Sequence, residues 1–284
     1  MATVFEVLIL HEDVHYARQA ADHAFGLVDR MELELSRFHP NSDVSRINRM
    51  EPGQSLRLGL HAFDCLQQSR DLFEDTSGAF DVTAGMLKDL WTGASHEILS
   101  EAPPEIRVGM EHLHLDERGC TVSMDQTVRV DLGAIGKGYA VDRVGELLLE
   151  WDIRTALIHG GRSSVLAMGH PPDLEGWPVT LSHPADRRKV LSRPILKNRA
   201  AGGSGLEKGF HIVDPRTRRP ARDRLAVWVL AGDAATADAL STAFMVFDPE
   251  EADRYCRRHP GIQALAVLEA AREQDEHGIL RWGI

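Results

Sequence analysis

Four short stretches hold the residue types from which this chain can build chemistry. The first is "DLGAIGKG", Asp131 to Gly138, where Gly133, Gly136 and Gly138 surround Lys137. Glycine lets backbone approach a ligand closely, but the order GxxGxG matches neither the dinucleotide fingerprint GxGxxG nor the P-loop GxxxxGK followed by Ser or Thr. What remains is a helix N-terminus with N–H groups and a lysine, an anion site by dipole and by charge. A tight turn with a solvated lysine accounts for the same residues equally well. The second stretch is "TADALSTAF". Asp238 and Thr242 lie four apart on an expected helix and so share a face. A carboxylate and a hydroxyl are hard oxygen donors that suit magnesium, which keeps places for water and phosphate; alone, such a pair is more often a helix-surface hydrogen bond. In "HIVDPRT", His211 and Asp214 flank an Ile-Val pair before the turn at Pro215. A histidine beside phosphate chemistry serves as acid or base, and a lone one is more often structural. In "GAFDVT" the small residues before Phe80 and Asp81 admit a flat ring to the backbone, or simply start a helix.

The elements that must position these groups follow from periodicity. "TVFEVLIL" reads as a strand, and apolar residues from Val14 to Phe38 recur at helical spacing. Ser42 is a plausible helix cap, and Leu60 to Phe73 is a further helix. "HLHLD" and "CTVSMD" around "ERG" form a hairpin, and "VRVDLG" a strand leading into the helix of "GYAVDRVGELLLE". "ALIHGGRSSVLAMG" gives two strands about a glycine pair, with more in "WPVTLSH" and "KVLSRPILKNRAAGG". "RLAVWVLAG" is a strand, Asp233 caps the helix "AATADALSTAFMVF", "PEEADRYCRR" is a short helix and "IQALAVLEA" a final strand. Many antiparallel-type strands with separate helices indicate an α+β fold of antiparallel-rich sheets and packed helices.

The 284 residues fit one domain over 1–284, or two intimately packed lobes. A net charge of -11 argues against nucleic acid, which needs a basic face. No apolar run reaches the roughly 18 residues of a membrane span. The N-terminus has no positive leader region, and Cys65, Cys120 and Cys256 form no zinc spacing and suit a reducing compartment.

Taken in order, "MATVFEV", "LSRFHPNSDVSRIN", "GAFDVTAGMLKDLW", "DLGAIGKGYAVDRV", "ALIHGG", "HIVDPRT" and "TADALSTA" resemble the ApbE family of FAD:protein FMN transferases along nearly the whole chain. The resemblance implies an enzyme that binds FAD with Mg2+, lets a Thr or Ser hydroxyl of an acceptor protein attack the FMN-side phosphorus, and releases AMP. It implies metal ligands at the Ala134 carbonyl, Asp238 and Thr242, flavin-nucleotide contacts at Met1, Phe38, Ala79, Phe80, Asp81, Asp131, Lys137 and Ile212, and catalytic roles for Asp238 and for His211 as the proton-transfer residue. Because the chain starts on the motif at Met1, where relatives often carry a lipoprotein leader, a cytoplasmic enzyme is expected. The chain also departs from the family. Arg162 follows Gly160-Gly161 where an acid is usual, Phe210 replaces the first of two histidines, the stretch from Ser204 to His211 is short, and Arg218 replaces a glycine. Phe210 and Arg162 motivate one alternative, an FAD-binding or storage protein; the resemblance itself implies another, an FAD pyrophosphatase giving FMN and AMP, since some relatives hydrolyse FAD.

Overall fold

The structure is a computed structural model that describes residues 3–93, 102–186, 188–209, 211–269 and 278–284. In chain order its elements are β1 (Phe5–Ile9), α1 (Val14–Leu35), α2 (Asp43–Ile47), β2 (Ser55–Arg57), α3 (Leu60–Asp75), α4 (Gly85–Gly93), β3 (Leu113–Asp116), β4 (Thr121–Met124), α5 (Gly136–Glu150), β5 (Ala156–Gly160) and β6 (Ser164–Met168). There follow β7 (Trp177–Pro178), β8 (Leu181–Ser182), β9 (Val190–Ser192), β10 (Ile195–Leu196), β11 (Arg199–Gly205), β12 (Val213–Asp214), β13 (Arg219–Pro220), β14 (Arg224–Ala231), α6 (Ala234–Ala243), α7 (Pro249–Arg258), β15 (Gln263–Leu268) and β16 (Ile279–Trp282). Their strand ladders are antiparallel, so the α+β expectation holds. The contacts divide the chain into two compact units, one of residues 1–29, 137–207 and 223–284 and the other of 30–136 and 208–222.

The first unit is built on a seven-stranded sheet in the order β1-β5-β6-β11-β14-β15-β16. Helix α6 lies across β6, β11 and β14. Its composition explains how close it sits: Ala234, Ala235, Ala237, Ala239 and Ala243 are all buried. A Cβ on Gly202 of β11 would stand 2.5 Å from the Asp238 nitrogen and nearer still to the Ala237 carbonyl, so only glycine fits under the helix. Leu240 and Phe244 fill the core beside it, each burial being worth about 1.5–3 kcal/mol.

The second unit holds the three-stranded sheet β2-β4-β3 and the pair β12-β13. Trp91 of α4 packs with Leu87 and Val213, and its indole N–H donates to the Arg218 carbonyl at 3.2 Å. Arg218 has φ 63, the left-handed conformation that favours glycine, and its guanidinium donates to the Pro103 carbonyl.

The expected caps are present. The Ser42 hydroxyl accepts from the Ser45 N–H, and the Asp233 carboxylate accepts from the Thr236 N–H. Four readings need correction. "VRVDLG" is no strand: Arg129 makes a single bridge to Ala84, and Asp131 instead caps a short 3-10 turn, Leu132–Ala134. Helix α6 ends at Ala243 rather than Phe247, its last carbonyls being taken by the tight turn that the Met245, Val246 and Phe247 N–H groups close. Helix α1 ends at Leu35, three residues short of Phe38, because the chain turns toward Pro40, which cannot continue a helix. "IQALAVLEA" is not the last strand, since β16 pairs outside it.

Candidate active site

The first unit gathers Lys137, Asp238 and Thr242 on one face of its sheet. Register explains this. Ser164 of β6 pairs with Gly202 of β11, and Ser204 lies two residues further along the same face. Helix α6 crosses above, so residues one turn apart on it meet successive positions. The Asp238 carboxylate is 2% exposed. It accepts from the Gly138 N–H at 2.9 Å, from Lys137 Nζ at 3.2 Å, and from the Ser164 hydroxyl, which is 2.7 Å from both of its oxygens. One turn on, the Thr242 hydroxyl lies 3.0 Å from that of Ser204, which is 2.7 Å from the Ser241 hydroxyl. Burial pushes the Asp238 pKa above the usual carboxylate range, against the opposing pull of Lys137, Ser164 and Gly138. The gross attraction between two unit charges at this spacing is about 4–5 kcal/mol at an effective dielectric of about 20, most of it offsetting the cost of desolvating them.

At the start of α5 the groups expected to hold an anion are engaged internally: the Asp238 side chain takes the helical N–H of Gly138 and the Lys137 ammonium. The glycines also divide by purpose. A Cβ on Gly138 would lie 2.8 Å from Ala235 Cα and nearer still to the Ala234 carbonyl, so this glycine lets α5 touch the start of α6. Gly136 has room, a Cβ there meeting only Leu132 Cβ at 3.7 Å. Asp142 secures the same helix contact by accepting from the N–H groups of Ala234 and Ala235, both at 2.8 Å. Burial raises the Asp142 pKa to about 7 despite these bonds.

The second unit carries the other expected residues. The Asp131 carboxylate bonds Lys88 Nζ at 2.6 Å and the Gly133 N–H at 2.8 Å, and Arg37 stands 3.5 Å away. Burial works against its ionisation, but Lys88, Arg37 and the Gly133 N–H outweigh it and hold the pKa below the ordinary value. Arg37 also bonds Asp89 at 2.6 Å and lies 4.9 Å over the ring of Phe38, which is 82% exposed. Ala79 and Phe80 are buried, so a ligand reaching this stretch meets backbone rather than their side chains. Asp81 accepts from the Thr83 N–H and hydroxyl, both at 2.7 Å. Its burial, with Glu111 nearby and the Thr83 bonds opposing, raises its pKa to about 6. Ile212 is buried, and its carbonyl accepts from Ala221. The His211 Nδ1 lies 2.9 Å from the Gly209 carbonyl. A carbonyl only accepts, so Nδ1 is the donor in this contact. Ala134 closes the 3-10 turn that leads into α5. Met1 and Phe210 lie outside the described residues.

Sequence reasoning missed Ser164, Ser204, Asp142, Lys88 and Arg37. Ser164 opens the apolar strand "SVLAM", which is buried along most of its length and shows no alternation to mark one face; the others likewise meet their partners through pairings that no local motif encodes. Among the described residues there is no group of three or more His, Cys, Asp and Glu placed to hold a metal, and no helix is long and apolar enough to cross a membrane.

Comparison with known proteins places the chain in a family. The model of the ApbE family matches residues 1–266. An FAD:protein FMN transferase of Vibrio cholerae is 29% identical over 244 residues, covering 79% of this chain and 72% of that protein. One from Escherichia coli K12 is 25% identical over 262 residues, covering 85% and 73%. The crystal structure of an ApbE protein from Thermotoga maritima superposes with a TM-score of 0.83 at 26% identity, covering 99% of this chain and 94% of that one. The flavin transferase ApbE of Vibrio cholerae shares the fold at a TM-score of 0.82 and 24% identity, with 99% and 94% covered. By sequence along almost its whole length, and by fold, this chain belongs to the ApbE family.

Proposed function

We propose that this protein transfers FMN from FAD to a Thr or Ser hydroxyl of an acceptor protein and releases AMP, with Mg2+ at the pyrophosphate. The observation that carries the reading is the Asp238 site: one buried carboxylate, a hydroxyl one helical turn away and a lysine, set on a rigid helix–sheet face. These donors fit magnesium. They are hard oxygens, and among the described residues the Asp238 Oδ1 accepts only from Ser164, so it keeps lone-pair capacity for a cation. Thr242 likewise retains an acceptor position beside its bond to Ser204. Asp238 and Thr242 would hold the ion; the Ala134 carbonyl is added to them by the family resemblance alone. When bound, magnesium neutralises pyrophosphate charge that grows on the departing AMP.

The chain's own residues do the rest. Lys137 supplies a second positive charge to the phosphates. Asp131, kept ionised by Lys88 and Arg37, offers a fixed acceptor to donor groups of the flavin nucleotide, and the exposed Phe38 ring, Asp81 and the backbone at Ala79, Phe80 and Ile212 complete the contacts. His211 takes the proton from the attacking hydroxyl at Nε2. The new bond joins the hydroxyl oxygen to the FMN phosphorus; the bond that breaks is that phosphorus to the bridging oxygen, and its electron pair leaves with AMP. A reducing, cytoplasmic setting accords with the three cysteines, none of which is in a disulfide.

The test is incubation with FAD, Mg2+ and candidate acceptors, reading AMP release and the flavin mass gain of the acceptor. Transfer yields both in equal amount. AMP without a mass gain assigns hydrolysis, retained FAD without AMP assigns storage, and no FAD binding refutes the reading. Asp238→Ala and Thr242→Ala should each abolish magnesium-dependent AMP release.

A further inference from the structure

The Asp238 carboxylate already has a cation. Lys137 Nζ sits 3.2 Å from its Oδ2, and the Gly138 N–H and the Ser164 hydroxyl also donate to this group, which is 2% exposed. The charge of this acid is therefore balanced before any metal arrives. A divalent ion entering beside it meets one carboxylate whose charge is cancelled, an ammonium of like sign within a few ångströms, and one neutral hydroxyl at Thr242. Two like charges at such spacing repel strongly away from bulk water, and magnesium gives up its own waters reluctantly.

We propose that Lys137 is a resident counter-ion that makes metal binding depend on substrate: the ion binds tightly only when a pyrophosphate anion draws the ammonium away from Asp238. This rests on the assignment of Asp238 as a metal ligand. The exchange conserves charge at each stage. Without substrate, Lys137 neutralises Asp238. With substrate, the pyrophosphate brings two negative charges; Lys137 moves to a phosphate oxygen and the ion takes its place at Asp238. Lys137 keeps a quarter of its side-chain surface exposed and hangs on a flexible four-carbon stem, whereas Asp238 is locked by Gly138 and Ser164. The lysine is thus the partner that moves. The consequence is protective as well as kinetic, because the enzyme does not hold a charged metal centre until the bond to be broken is in place. By linkage the coupling is reciprocal, the ion tightening FAD as much as FAD tightens the ion.

Mn2+ is the probe, its free concentration read by electron paramagnetic resonance, with and without FAD, and with flavin fluorescence reporting FAD binding. The wild type should bind Mn2+ weakly alone and at least about tenfold more tightly with FAD. Lys137→Met should bind Mn2+ about tenfold more tightly than wild type without FAD, a gain that mere loss of structure cannot produce, and FAD should add little further. Lys137→Gln keeps a donor to the carboxylate without the charge and should show the same gain, which serves should the methionine variant fail to fold. Lys137→Arg should behave as wild type. If the uncharged variants bind Mn2+ no more tightly than wild type while Asp238→Asn abolishes FAD-dependent binding, the counter-ion role is overturned and the metal site stands. If Asp238→Asn binds Mn2+ as wild type does, the metal site itself is refuted.

Discussion

Replacing Gly138 by alanine tests whether the glycines at the start of α5 serve a ligand or the packing of the protein. The added Cβ would lie 2.8 Å from Ala235 Cα and closer to the Ala234 carbonyl. Both are backbone atoms at the capped start of α6, so no side chain can swing aside; the helix itself must retreat by about 1 Å to restore ordinary contact. That retreat costs about 1–3 kcal/mol for overpacking and more for moving backbone. It also stretches the Gly138 N–H bond to the Asp238 carboxylate, now 2.9 Å, and hydrogen bonds to a charged group are worth about 1.5–3 kcal/mol. Against this stands a helix-propensity gain of up to about 1 kcal/mol. The net expectation is a loss of about 2–5 kcal/mol, read by urea denaturation, or a fall in melting temperature of roughly 5–15 °C. Gly136→Ala is the paired control: its Cβ finds Leu132 Cβ at 3.7 Å, an ordinary contact, so it should be neutral or slightly stabilising. If Gly138→Ala lies within about 0.5 kcal/mol of wild type, while Gly136→Ala keeps its fold and loses FAD affinity, the packing argument is wrong and the glycines make room for phosphate.

Ser164→Ala should raise the magnesium concentration needed for half-maximal AMP release about tenfold with a smaller change in kcat, because the carboxylate loses the hydroxyl that aims both its oxygens; Ser164→Thr, which keeps the hydroxyl, should restore most of it, and equal losses in both variants would assign the serine to packing alone. Burial pushes the Asp142 pKa up from the ordinary 3.8 to about 7 in the fold. A raised folded pKa means the folded state binds the extra proton, so the stability this group contributes is present at low pH and is lost as pH rises from about 4 through 7. The stability of wild type relative to Asp142→Asn should therefore fall between pH 5 and pH 8 in urea melts, and a difference that does not vary with pH would contradict the assignment. His211→Ala should cut turnover about 100-fold or more; unchanged turnover would reject histidine as the base.

Much of the fold was legible because its signals are local. Period-two and helical spacings, the Ser42 and Asp233 caps and the hairpin around Glu117 to Cys120 depend on neighbours a few residues away, and the structure reproduces them. Local signals also misled where tertiary contacts decided: "VRVDLG" has strand composition, yet Asp131 is spent capping a turn. The candidate site was legible as residue types, an acid and a hydroxyl four apart on a helix and a lysine among glycines. That these meet is a property of the fold. Lys137 and Asp238 are 101 positions apart and Ser164 is 74 from Asp238. They converge because β6 and β11 pair in a register that puts Ser164 beside a glycine, and because that glycine lets α6 settle onto the sheet. The sequence by itself determined which chemistry is available: hard oxygen donors, a lysine, a histidine, and a family pattern of a flavin transferase. The tertiary structure alone decided the state of those groups. Burial raises Asp238 and Asp142 while two cations keep Asp131 ionised, because desolvation and distant charges depend on what surrounds a side chain in space, which spacing along the chain does not record.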